Sequence, residues 1–317
     1  MNKPRAKPRQ ILLSKRANIF YLEHARVLQK DERIIWLTET GEDVEQYFNL
    51  PERNTALLLL GKGTSITDAA VRRLAESNVL IGFCGSGGSP LFAAAEPVFL
   101  TPQSEYRPTE YMQGWVRHWS DDSRRLQLAK ALIAERIELT TRVWQRNPDL
   151  LQHHIAMPPS AADRLKTRSE TSADVQALLL AEAEWARALY ASLSSGYGLK
   201  FTRNEGAGVR ESREDRVNSF LDHGNYIAYG LAAVALNGLG ISYAFPLLHG
   251  KTRRGALVFD VADLIKDAYI MPLAFECGAD PRIKDNTFRA RLIETLQDAE
   301  ALDLLFTFVK SLAEKPI

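Results

Sequence analysis

From Tyr226 to Leu248 this 317-residue chain runs for 23 residues without a charged side chain. A stretch that long can cross a bilayer, so it belongs either in lipid or inside a protein large enough to wrap it. Asn237, the Gly238-Leu239-Gly240 break and Pro246 decide between the two, because they split the run into one helix of moderate length and a short continuation. The segment therefore predicts a buried central helix and no membrane span. A helix that is apolar on every side needs partners all round it. The composition supplies them, with 45% hydrophobic and 25% charged residues.

Those partners are of two kinds. Up to about Ala95 the apolar residues come in short runs. ILLSKRANIFYL, ARVL and RIIWLTE read as strands, the last two joined as a hairpin by Lys30-Asp31-Glu32, and TALLLLG and VLIGFC read as buried strands. Thr64 or Ser65 is expected to cap a helix through ITDAAVRRLAESN. Pro97, Pro102 and Pro108 then interrupt regular structure. Beyond them the period is helical: a long helix from Tyr111, broken near Ser120 to Ser123; a polar loop from Asn147 to Glu170; then VQALLLAEAEWARALYASLS, RVNSFLDHGNYIAYGLAAVALNG, LVFDVADLIKDAY and NTFRARLIETLQDAEALDLLFTFVKSLAE. The prediction is an α+β chain: a small β-rich N-terminal domain over residues 1–98, a linker at 99–110 and a larger all-α domain over 111–317.

The two cysteines, Cys84 and Cys277, stand far apart with no zinc-ligand spacing, and the N-terminus lacks the apolar core of a secretory leader, so a cytoplasmic location is expected. The net charge of +1 excludes a uniformly basic nucleic-acid coat. It does not exclude local contact, because Lys3, Arg5, Lys7, Arg9, Lys15 and Arg16 face no acid in the first sixteen residues; this arm reads as a solubilising tail or as an arm touching phosphates. Three glycine-rich stretches fail as nucleotide loops. Ala56 and Phe245 stand where a P-loop before Lys62 or Lys251 needs glycine, and Gly85-Ser86-Gly87-Gly88 leads through Pro90 into a strand.

The chemistry gathers between His249 and Asp267. If LVFDVADLIKD is helical, Asp260, Asp263 and Asp267 share one face beside an apolar stripe of Val261, Ile265 and Ala268. Like charges on one face repel by a few tenths of a kcal/mol per pair, roughly, and a carboxylate buried without a partner costs far more. His249 follows the apolar Pro246-Leu247-Leu248, and Glu182 sits among Leu178, Leu179, Leu180 and Ala181. Together these residues offer mixed oxygen and nitrogen ligands suited to Mg²⁺ or Mn²⁺. Lys251, Arg253 and Arg254 stand beside them as phosphate holders. Spacing alone leaves a second reading open, a solvated acidic face with a structural histidine.

At these residues the chain closely resembles the CRISPR-associated Cas1 family, the metal-dependent integrases of spacer acquisition. The resemblance runs through Glu182-Ala-Glu-Trp-Ala-Arg-Ala-Leu-Tyr190, Asp215-Arg-Val-Asn218-Ser-Phe-Leu221, His249 and Leu-Val-Phe-Asp260-Val-Ala-Asp263. QSEYRPTEY, LDHGNYIAYGLA and LHGKTRRG are similar to the I-F branch in particular. The resemblance implies that Glu182, His249 and Asp263 bind the metal and that Asp260 supports them as a further catalytic acid. It implies a homodimer formed through the β-rich domain, a Cas2 partner fused to the interference helicase-nuclease, and double-stranded DNA, captured DNA and CRISPR repeat, as substrate. The implied reaction is transesterification by the 3′-hydroxyl ends of captured DNA. Lys251, Arg253, Arg254 and Asn218 would contact DNA, Asn218 with the alternative of a helix-terminal structural role that it shares with Asp215. The same acids would also serve a purely hydrolytic nuclease, or a non-catalytic DNA-binding scaffold in which they are structural.

Overall fold

The computed structural model describes residues 11–38, 46–83, 98–100, 109–204, 212–249 and 255–316. Strands β1 (Asn18–Leu22), β5 (Thr55–Leu60), β7 (Leu80–Phe83) and β8 (Val98–Leu100) form one sheet in the order β1-β5-β7-β8. β1, β5 and β7 run parallel, and β8 closes the edge antiparallel to β7. A second sheet has the order β4-β3-β2-β6, from Gln46–Leu50, Arg33–Thr38, Ala25–Lys30 and Ser65–Ile66. The hairpin at Lys30-Asp31-Glu32 is present: Lys30 pairs with Arg33, and Asp31 and Glu32 both take positive φ, the turn whose twist matches its strands. β4 escaped the sequence reading.

β5 explains why TALLLLG is apolar throughout. All six of its residues are buried, but they serve two cores in alternation. Leu57 and Leu59 pack into the large core with the helices, while Leu58 and Leu60 pack with Val27, Ile34, Leu50, Ala70 and Leu74 under the second sheet and helix α1 (Asp68–Glu76). A strand covered on both faces cannot alternate apolar with polar. The cap of α1 is Thr67, which accepts from the Ala70 N–H, and neither Thr64 nor Ser65. Thr64 instead donates its hydroxyl to the Leu22 carbonyl, and Ser65 pairs with Arg26.

From Glu110 on, the regular elements among the described residues are helices: α2 (Glu110–Trp119), α3 (Asp122–Trp144), α4 (Pro148–Gln152), α5 (Pro159–Thr171), α6 (Val175–Gly196), α7 (Arg213–Gly238), α8 (Ala256–Ile265), α9 (Met271–Ala279), α10 (Asp285–Asp298) and α11 (Ala301–Ala313). The break between α2 and α3 falls where expected, with the Asp121 side chain capping α3. The expected loop at 147–170 is instead α4 and α5. Pro148 and Pro159 sit at helix starts, where the missing N–H has no bond to lose. The last predicted helix is two, parted at Glu300, which takes φ +47°.

α7 is the central helix foreseen from the uncharged run, buried from Val217 to Leu236 apart from Asn225 and Tyr229. Gly230 lets it close on the first sheet, since a Cβ there would stand 2.3 Å from Leu57 Cδ2. Among the described residues no helix is long and apolar enough to cross a membrane.

Candidate active site

His249 enters on a segment pinned from two sides. The indole N–H groups of Trp115 and Trp119, on α2, donate to the carbonyls of Phe245 (3.1 Å) and Pro246 (2.7 Å). Asp260, on α8 and fully buried, accepts the backbone N–H groups of Leu247, Leu248 and His249. The same carboxylate lies 2.7 Å from His249 Nδ1. A carboxylate can only accept, so this bond places a proton on Nδ1, and in the neutral ring the lone pair is then on Nε2. Nε2 then faces Asp263 Oδ2 at 4.0 Å. Asp260 thus positions the histidine from behind.

Asp263 is 3% exposed. Lys266 donates to its Oδ1 at 2.6 Å, and Arg136 Nη1, from α3, lies 3.7 Å from its Oδ2. The same Nη1 donates to Glu182 Oε1, on α6, at 2.8 Å. Arg136 Nε meets Asp267 at 2.6 Å. Burial works against the imidazolium of His249, but the bond to Asp260 and the charges of Asp263, Asp260 and Glu182 outweigh it and hold the ring above its ordinary value. Burial likewise opposes the Asp263 carboxylate, and Lys266, Arg136 and His249 together keep it below its usual range.

The fold therefore brings Glu182, His249, Asp260 and Asp263 together from three parts of the chain. Asn218 is held inside the fold: it is 2% exposed, its amide donates to the carbonyls of Thr202 and Glu214, and its oxygen accepts from Arg203 and Asn204. Those bonds fasten residues 202–204 to α7 and leave the side chain nothing to offer a DNA phosphate. Asp215 completes a capping box with Ser212 at the start of α7. Lys251, Arg253 and Arg254 lie outside the described residues.

Sequence reasoning missed Arg136, Lys266 and Trp185. The one available signal was a lone arginine on the stripe of α3 that buries Leu132, Ile133, Leu139 and Thr140. Its partners are distant in sequence, so its role could not be read from spacing.

A model of the CRISPR associated protein Cas1 family matches residues 19–307. The chain belongs to the Cas1 family. It is 44% identical to a Pectobacterium atrosepticum protein named CRISPR-associated endonuclease Cas1, across 96% of this chain and 94% of that one. A Pseudomonas aeruginosa protein of the same name is also 44% identical, over 96% and 95% of the two chains. The crystal structure of a TtCas1–DNA complex shares the fold, with a TM-score of 0.70 and 23% identity over 95% of this chain and 93% of that one.

Whether these Cas1 residues suit a metal ion can be judged from their chemistry. Glu182, His249 and Asp263 offer two carboxylates and an imidazole nitrogen, the donor set of a hard or borderline divalent cation. Asp260 on the far nitrogen is the outer partner that such a histidine has. Glu182, Asp263 and Asp267 stand around Arg136 and Lys266, and Asp260 pairs with His249, so the four carboxylates outnumber the three basic groups. The donors are not closed on one point: among the described residues no group of three or more His, Cys, Asp or Glu side chains is ready to hold an ion. Arg136 Nη1 reaches both Glu182 and Asp263 and partly neutralises them. The donor set fits in chemistry and charge.

Proposed function

We propose that the protein is a metal-dependent DNA endonuclease and integrase of CRISPR spacer acquisition, of the I-F kind. The observation that carries this reading is the aim of His249: Asp260 fixes Nδ1, and Nε2 faces Asp263 at 4.0 Å, while Glu182 is linked to the same aspartate through Arg136. Membership of the Cas1 family, the endonuclease name of relatives at 44% identity and a fold neighbour solved with DNA support it.

Glu182, His249 and Asp263 would hold Mg²⁺ or Mn²⁺, which when bound supplies Lewis-acid polarisation of a phosphate and stabilisation of a departing oxyanion. Asp260 keeps His249 in the tautomer that presents Nε2. Lys251, Arg253 and Arg254 steady the flanking phosphates. The 3′-hydroxyl of captured DNA forms a bond to a repeat phosphorus as the bond to the leaving 3′-oxygen breaks; the attacking oxygen loses a proton and the departing one gains one. Residues 1–98 form the dimer contact, and a Cas2, fused to a helicase-nuclease, joins two dimers.

Two measurements test this. DNA with 3′-hydroxyl ends is expected to enter a repeat-bearing plasmid and 3′-blocked DNA is not; equal insertion of blocked ends would refute transesterification. Asp263→Ala is expected to leave the fold intact by circular dichroism and to lower metal-dependent cleavage by more than about 100-fold, beyond the cost of losing an outer partner of a metal ligand. Retained cleavage would remove Asp263 from the site.

A further inference from the structure

Asp267 lies four residues beyond Asp263 and is 2% exposed. One of its carboxylate oxygens, Oδ2, accepts both Arg136 Nε at 2.6 Å and Trp185 Nε1 at 2.7 Å. Each bond leads to Glu182 by its own route. Arg136 Nη1 donates to the Glu182 carboxylate directly, and Trp185 stands on α6 three residues after Glu182, on the same face. Glu182 and Asp263 belong to different elements, and these two links join them.

The local backbone is arranged around this residue. Between α8 and α9, Lys266–Ile270 form a π-helical turn in which the Met271 N–H reaches the Lys266 carbonyl. The next bond of that pattern would need an N–H at 272, and Pro272 has none. The carbonyl left over is that of Asp267, and it accepts the Trp144 indole N–H at 2.9 Å. Both ends of the residue are thereby held, by α3 and by α6. Ion pairs this deeply buried add little stability over well-packed apolar side chains; what they add here is direction.

We propose that Asp267 is a positioning residue for metal binding: by fixing Arg136 and Trp185 it sets where Glu182 stands relative to Asp263. It also holds back the charge of Arg136, which would otherwise compete with a metal ion for those two carboxylates. The inference rests on the metal-dependent reading above.

Binding of Mn²⁺ to the full chain, followed by the electron paramagnetic resonance of the free ion, tests it with Asp267→Asn, Trp185→Phe and Asp263→Ala beside the unaltered protein. Asp267→Asn is expected to weaken Mn²⁺ binding by about tenfold and to shift the Mn²⁺ activation curve of DNA cleavage by the same factor, with the rate at saturating Mn²⁺ little changed. Trp185→Phe is expected to do the same by a smaller factor. A lower melting temperature with unchanged Mn²⁺ affinity in both variants would make Asp267 merely structural and overturn the proposal. If Asp267→Asn does not fold, Trp185→Phe decides alone, and unchanged affinity overturns it. Loss of Mn²⁺ binding in Asp263→Ala shows that the metal reading stands whatever Asp267 does; if the unaltered protein binds no Mn²⁺, that reading fails and takes this one with it.

Discussion

Helix α7 and the helical run Ala256–Ala279 are both buried along most of their length, yet α7 carries no charge from Tyr226 onward, whereas the other run places Asp260, Asp263, Lys266 and Asp267 within eight residues. α7 is held by area: its apolar side chains face helices and the first sheet, and Gly230 brings it against Leu57. The second run has an equally apolar background but buries charge, and each charge meets a partner from another part of the chain or a neighbouring turn. Asp260 has three backbone N–H groups and His249, Asp263 has Lys266 and Arg136, and the Asp267 carboxylate has Arg136 and the Trp185 indole. Burial is thus indifferent to charge only where donors and cations are already in place.

Moving a charge from one run to the other should break this comparison most severely. Ala232→Asp in α7 puts a carboxylate at a site with no exposure and without such a set of partners. It is expected to cost about 3–5 kcal/mol, the scale of an uncompensated buried charge, seen as a large fall in the denaturation midpoint. A variant as stable as the parent would show that α7 tolerates charge as α8 does.

A milder change tests the partners themselves. Asp260→Asn keeps the shape but replaces an acceptor oxygen by an amide, leaving at least one backbone N–H among Leu247, Leu248 and His249 without a bond. The expected loss is about 1–3 kcal/mol by urea unfolding. Unchanged stability would mean that the His249 segment is held by Trp115 and Trp119 alone.

The smallest effect is expected where the same run ends in solvent. Side-chain and backbone donation from Arg282 depresses the Asp280 carboxyl to about 2 from an ordinary 3.8. A depressed carboxyl stabilises the fold above its ordinary pKa and loses that contribution as pH falls through the lowered value, here between about 4 and 2. Arg282→Ala should return the titration midpoint toward 3.8 by NMR while the melting temperature at pH 7 hardly moves, because exposed pairs contribute little. A midpoint that stays near 2 would assign the shift to the backbone N–H at position 282 and to Arg216.

How legible each part was follows from the same contrast. The α+β division, the hairpin at Lys30 to Glu32, the doubly buried β5 and the central α7 all rest on periods and punctuation within ten to twenty residues. Glu182 and the aspartates of α8 could be picked out because acids in apolar sequence are costly and therefore conspicuous. α4 and α5 were hidden by prolines that begin helices as readily as they end them. Asn218 looked like a ligand for DNA because a sequence cannot show which backbone groups will surround a buried amide.

Sequence alone determined the fold class, the family resemblance and the acids worth suspecting, since hydrophobic period and the cost of burying charge are local properties of the chain. Only the tertiary structure decided what those acids do together. Arg136 and Glu182 stand 46 residues apart and Trp144 and Asp267 stand 123 apart. Whether a buried carboxylate faces a guanidinium, an indole or an imidazole depends on which helices pack, and that is a property of the whole core.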